Sequence, residues 1–98
     1  MVFALRFTAE GRDDFDQLKG NKALAKRFKA VKAALGKLQS NPRHPGLKTH
    51  KYLTMKGPHG ADAFEAYAEN KTPGAYRIFW SYGPEKDIIT IIAITPHA

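Results

Sequence analysis

The sequence predicts an α+β domain: two N-terminal helices, forming a hairpin, packed on one face of a mostly antiparallel, twisted sheet of about four strands, in the order β-α-α-β-β-β. Two patterns predict it. Leu24, Phe28, Val31, Leu35 and Leu38 recur at alternating steps of four and three, the period of one helical face. From residue 63 onward the chain holds three segments that alternate in polarity or are dense in aromatic and β-branched residues, each bounded by Gly and Pro, which is the signature of strands joined by turns. A length of 98 residues fits one domain, 1–98.

Val2 to Phe7 reads as a first strand. Thr8 can cap a following helix, on which Phe15 and Leu18 share a face, and Gly20 ends it. Asn21 is a good N-cap for the second helix. Lys22, Lys26, Lys29 and Lys37 fall largely off its apolar stripe, and Ser40-Asn41-Pro42 stops it. The very short turn between the helices predicts an antiparallel hairpin. Residues 41–62, rich in Pro, Gly, His and Lys, read as a loop, a short irregular strand near Leu47–Met55, and a turn at Gly57-Pro58-His59-Gly60.

Ala63 to Glu69 alternates; Lys71-Thr72-Pro73-Gly74 is a turn; Tyr76 to Tyr82 is a strand; Gly83-Pro84-Glu85-Lys86 is a second turn; Ile88 to Thr95 is the last strand. Such short connections make the last three strands antiparallel neighbours. If Phe64, Ala66 and Ala68 face the helices, Tyr76, Ile78, Trp80 and Tyr82 join them. The opposite face then carries Glu65, Tyr67, Glu69, Arg77, Phe79 and Ser81. Counting by twos along the last strand adds Ile91, Ala93, Thr95 and His97, an assignment that a bulge would break.

The formal net charge is +7, and it is unevenly placed. Residues 41–60 hold Arg43, Lys48, Lys51, Lys56 and three histidines with no acid, whereas Lys71, Arg77 and Lys86 face five acids after residue 60. A local cationic patch in a small basic domain points to nucleic acid or an acidic protein as partner. There is no cysteine, which excludes a disulfide scaffold and thiolate metal sites. His44 and His50 stand six apart, with His59 in a loop and His97 near the end, so no tight ligand pair exists and no metal or cofactor is expected. No apolar run approaches the roughly 18 residues of a membrane span, and the first ten residues lack a signal-peptide pattern. A soluble cytoplasmic protein, without a membrane partner, is the expectation.

Three segments taken together, Asn41-Pro42-Arg43-His44-Pro45-Gly46-Leu47-Lys48 after the long helix, Gly74-Ala75-Tyr76-Arg77-Ile78-Phe79-Trp80 on a central strand, and the last strand running into Pro96-His97, resemble the RelE/ParE toxin superfamily over nearly the whole chain. The resemblance implies a RelE-like toxin of a type II toxin–antitoxin system: an mRNA interferase cutting in the ribosomal A site, by attack of a ribose 2′-hydroxyl on its own phosphate, without metal, and silenced by an acidic antitoxin. Partners would then be the antitoxin, mRNA and ribosomal RNA. The alternative within the resemblance is a ParE-like inhibitor of DNA gyrase, which needs no acid–base pair. A paralogue that only binds an antitoxin is a third reading.

The implied cleavage needs a base, a cation on the pentavalent phosphate and an acid for the leaving oxygen. Arg77 matches the strand arginine of the resemblance and could clamp the phosphate; an ion pair with Glu65 or Glu69 is its other use. His97 stands where such toxins place a C-terminal proton-transfer residue. Glu65 could take the hydroxyl proton, and Tyr67 could stack on a base. Lys48, His50, Lys51 and Lys56 could grip the RNA backbone. Glu65, Tyr67 and Glu69 stand where RelE-like toxins carry basic residues, a departure that favours a carboxylate-and-histidine mechanism or loss of nuclease activity.

Overall fold

The computed structural model describes residues 2–70 and 73–96. In chain order the elements are β1 (Ala4–Phe7), α1 (Ala9–Gly20), α2 (Ala25–Ser40), β2 (His50–Lys56), β3 (Asp62–Tyr67), β4 (Tyr76–Tyr82) and β5 (Ile88–Pro96). Single 3-10 turns lie at Lys22–Leu24, Pro45–Leu47 and Pro58–Gly60. No helix among the described residues is long and apolar enough to cross a membrane.

The sheet has five strands in the order β1-β5-β4-β3-β2. β1 runs parallel to β5, and the other neighbours are antiparallel. The expected count of about four is therefore one short. The irregular segment near Leu47–Met55 is a full edge strand, His50–Lys56, preceded by the Pro45–Leu47 turn. Its irregularity is real: the register shifts between Tyr52 and Lys56, and Leu53 is 80% exposed.

Both helices cover one face. Val31, Leu35 and Leu38 of α2 are buried, as the stripe predicts, and with Ala34 they cluster with Leu18 of α1 and with Ala66, Ile78, Trp80, Ile89, Ile91 and Ile94 of the sheet. Phe7, Phe15 and Phe28 form a chain of tilted and edge-on rings beside them. The helices do not meet in a plain hairpin. Asn21 caps the intervening 3-10 turn through Ala23 N–H (3.0 Å) and does not cap α2 itself, which starts at Ala25 without a side-chain cap.

α1 is anchored on β5 because β1 is short. β1 pairs only as far as Phe7 with Ile91, and the next β5 backbone groups are met by α1 and its cap. Thr8 Oγ1 accepts from Gly11 N–H (3.0 Å), as expected of an N-cap, and donates to Ile92 O (2.9 Å). Asp14 accepts from Ile94 N–H at 2.9 Å. The approach is so close that a Cβ on Gly11 would collide with the Ile91 carbonyl, which is why the helix carries glycine there.

Two bulges correct the expected faces. β4 and β5 pair Phe79 with Ala93 but Trp80 with Ile91, leaving Ile92 as the extra residue. Ile91 is consequently in the core beneath the helices, not on the opposite face, while Ala93 and Thr95 remain on that face opposite Phe79 and Arg77. At the end of β3, Ala68 and Glu69 both donate their N–H to Tyr76 O (3.1 and 3.4 Å). This rotates Glu69 away from the face expected for it. Its carboxylate meets Arg27 of α2 (3.0 Å) and Tyr76 N–H (3.1 Å), and Arg27 also donates to the carbonyls of Pro73 and Gly74.

Candidate functional site

The sheet face away from the helices is covered at one end. There Gly57, in the turn between β2 and β3, lies so close over the buried Ser81 that a Cβ would strike its side chain. The other end is an open groove of about 470 Å³ lined by Tyr52, Glu65, Tyr67, Arg77, Phe79, Thr95 and Pro96. Strand register builds it: His50 lies opposite Glu65, Tyr67 opposite Arg77, and Arg77 opposite Thr95.

Glu65 is the hub. It is 7% exposed, and its two oxygens are shared out. Oε2 accepts from an Arg77 terminal N–H at 3.1 Å, and Oε1 meets His50 Nε2 at 2.7 Å. Burying a carboxylate is costly unless it is paired and hydrogen-bonded, and both partners are present. Arg77 is itself held on its other surface, with its guanidinium 3.9 Å from the centre of the Tyr67 ring. The ring of His50 lies edge-on to Tyr67 at 5.9 Å, and Tyr52 packs edge-on against Phe79 at 4.8 Å. These contacts fix the arginine in one pose. One donor of the guanidinium is committed to Glu65, and its buried Nε has no partner among the described residues.

Arg77, Glu65 and Tyr67 thus come together as expected, and His50 joins them in a way the sequence reading did not foresee. Its imidazole is hydrogen-bonded to the buried carboxylate, a contact beyond the grip on RNA backbone expected of it. The ring's second nitrogen, Nδ1, makes only a long 3.4 Å contact with Lys48 O. The missing signal was register: an irregular edge strand gives no alternation from which to pair His50 with Glu65. His97 lies outside the described residues; Pro96, just before it, lines the groove. Lys51 and Lys56 lie together at the sheet edge, paired with Asp62 at 3.2 and 3.1 Å. Hydrogen bonds from Lys56 and Lys51, helped by their charges, hold the Asp62 carboxyl below the usual carboxylate range. Lys48 takes a left-handed backbone (φ 48°) at the end of the Pro45–Leu47 turn and stays exposed.

No family model matches the sequence, and no curated protein matches it. The backbone has clear structural neighbours. A chain of the archaeal RelE–RelB complex from Pyrococcus horikoshii OT3 superposes with a TM-score of 0.64 at 16% identity, over 98% of this chain and 96% of that one. A YoeB/ParE toxin from Agrobacterium tumefaciens gives 0.69 at 13% identity, over 97% and 99%. A chain of the RelBE2 toxin–antitoxin complex from Mycobacterium tuberculosis gives 0.58 at 21% identity, over 99% and 100%. The chain has the RelE/ParE toxin fold. In this RelE/ParE-like chain strands β3 and β4 both contribute to the groove on the sheet face opposite the helices, and the Glu65 carboxylate of β3 is paired there with Arg77 of β4.

Proposed function

We propose that the chain is the toxin of a toxin–antitoxin pair and a RelE-like endoribonuclease that cleaves mRNA on the ribosome. The observation that carries the reading is the Glu65 carboxylate, buried and shared between Arg77 and His50 beside an open groove of nucleotide size. A purely adhesive surface has no need for a buried carboxylate that holds an imidazole beside a fixed arginine. The fold it shares with chains from RelE–RelB and RelBE2 complexes, together with the net charge of +7, supports an acidic antitoxin as partner.

The geometry refines the roles. Glu65 has both oxygens occupied and little exposure, so it acts by holding His50, whose side chain is half exposed. Nε2 faces Glu65, and Nδ1 is the nitrogen left for proton exchange. In the proposed step the 2′-oxygen loses its proton to an imidazole and bonds to phosphorus, and the bond from phosphorus to the 5′-oxygen breaks. The leaving oxygen takes a proton from a second group. His50 and His97 are the two imidazoles for these transfers, and the Arg77 guanidinium, on the groove wall, supplies positive charge for the pentavalent phosphate. Products are a 2′,3′-cyclic phosphate and a 5′-hydroxyl. Tyr67 carries Arg77 on one ring face, which makes it first a positioning residue. Lys48 and Lys51 supply phosphate contacts.

Toe-printing of a translated message with purified ribosomes tests this. Site-specific cleavage that disappears in Arg77→Ala is the expected result. Gyrase-dependent DNA breaks with intact mRNA would replace this reading by the ParE-like one, and harmlessness in both assays would leave only antitoxin binding.

A further inference from the structure

A second cavity lies on the other side of the sheet. Its volume is also about 470 Å³, and it opens between the loop that follows α2 and the helix-side surface of β3 and β4. Three features define its chemistry. Arg43, Lys48 and Lys51 line it and no acidic residue does. Its aromatic wall is Phe64 stacked on Trp80 (5.0 Å, 29° between planes) with Tyr82 edge-on to Trp80 at 4.9 Å. Tyr82 is 43% exposed, so part of that wall is open to a ligand.

The third feature is unmet hydrogen bonding. Trp80 is 1% exposed, and its indole N–H has no acceptor among the described residues; the buried Thr49 hydroxyl, on the same lining, has no partner either. A buried polar group without a partner costs on the order of 1–3 kcal/mol and is uncommon in a folded protein. His44 adds a further donor: its Nδ1 accepts from Gly46 N–H at 2.9 Å, which leaves Nε2 as the N–H of the neutral ring.

We infer that this cavity is a nucleotide subsite, which holds an unpaired nucleotide of the RNA with its phosphate on Lys48, Lys51 and Arg43 and its base against the Tyr82 side of the aromatic wall. Three cations without an acid select an anion. An exposed phenol ring selects a flat partner beside it. The orphan indole N–H and hydroxyl are covered by the lining, and a ligand that displaces this cover would offer them acceptors on its edge. One nucleotide carries all three within a single residue, whereas an acidic peptide would have to assemble them from several. Lys51 also pairs with Asp62, but Lys56 holds the same carboxylate, so Lys51 can turn to a phosphate without leaving Asp62 unpaired. His50 joins the two sites: it borders this cavity and is hydrogen-bonded to Glu65 in the open groove. The inference rests on the RNA-directed reading above and extends it to the nucleotide next to the cleavage position.

Trp80 is the protein's sole tryptophan, so its fluorescence reports on the wall of this cavity. The full chain is titrated with 5′-AMP, adenosine, inorganic phosphate and an oligoglutamate peptide. The expected result is a saturable change in Trp80 emission with AMP, with adenosine and phosphate each on the order of tenfold weaker. Tyr82→Leu and the pair Lys48→Gln with Lys51→Gln should each weaken AMP binding about tenfold, the worth of one base stack or of charged phosphate contacts, with circular dichroism confirming the fold. No response to AMP overturns the inference. So does phosphate binding as tightly as AMP, which makes the cavity a bare anion site, or a peptide that saturates Trp80 and is not displaced by AMP. Cleavage is read separately on the same preparations. An AMP response without mRNA cleavage keeps the subsite and sinks the nuclease reading, and cleavage without an AMP response does the reverse.

Discussion

Replacing Arg77 by methionine tests whether the site is a buried ion pair or a surface ornament. The side chains of Arg77 and Glu65 are 12% and 9% exposed, so solvent screens their attraction little. Breaking a fully buried pair costs about 3–5 kcal/mol, mostly because the abandoned charge stays buried. Here His50 still holds one oxygen at 2.7 Å, and the groove admits water to the other. The cost of Arg77→Met should therefore be about 2–3 kcal/mol. In a domain of this size each kcal/mol moves Tm by roughly 4–8 °C, which makes the expected drop on the order of 10–20 °C. Replacing both charges, Glu65→Leu with Arg77→Met, removes the stranded carboxylate as well and should recover at least about 1 kcal/mol relative to the sum of the single changes. Urea unfolding at neutral pH measures all three variants. Additive losses, or an Arg77→Met variant within about 0.5 kcal/mol of the parent, the range of an ordinary surface substitution, would refute the claim that Glu65 depends on Arg77, and with it the pose assigned to the guanidinium.

Other expectations follow from the same contacts. In a ribosome-dependent cleavage assay, His50→Gln should slow cleavage by roughly 10²–10⁴-fold while binding changes far less, as loss of a proton-transfer group does; an unchanged rate would return the role to His97 alone. Asp14→Ala strands the Ile94 N–H that Asp14 accepts and should cost about 1–3 kcal/mol in urea unfolding, with hydrogen exchange rising first at Ile94. Gly11→Ala drives a methyl group into the Ile91 carbonyl and should cost about 1–3 kcal/mol by overpacking, read as a fall in Tm, whereas Gly20→Ala meets open space and should not destabilise. Lys56 and Lys51 depress the Asp62 carboxyl, so its folded value lies below its unfolded one. The stabilisation this gives is present above about pH 4 and is lost as pH falls through the depressed value. Carbon-detected titration should show Asp62 ionising below the ordinary range, and Lys51→Gln with Lys56→Gln should return it there.

The sequence by itself determined which residues form the core elements. The four-and-three spacing of α2 has one structural solution, since only one face of a helix can be buried, and Val31, Leu35 and Leu38 are buried on it. The density of aromatic and β-branched residues from Tyr76 to Tyr82 likewise fixed β4, and strict alternation there carried Arg77 to the face opposite Ile78 and Trp80. What the tertiary structure decided is the register between elements. Ile91 went under the helices, Glu69 left for Arg27, and His50 came opposite Glu65, because two bulges and an irregular edge strand shifted the count. A bulge inserts one unpaired residue and reverses every side chain beyond it, yet no residue type marks these positions. They are set by where α1 can satisfy the backbone of β5 through Thr8 and Asp14 and by how many residues the neighbouring strands need to meet. Such hydrogen bonds join residues some 80 positions apart, so they exist only once the chain has folded.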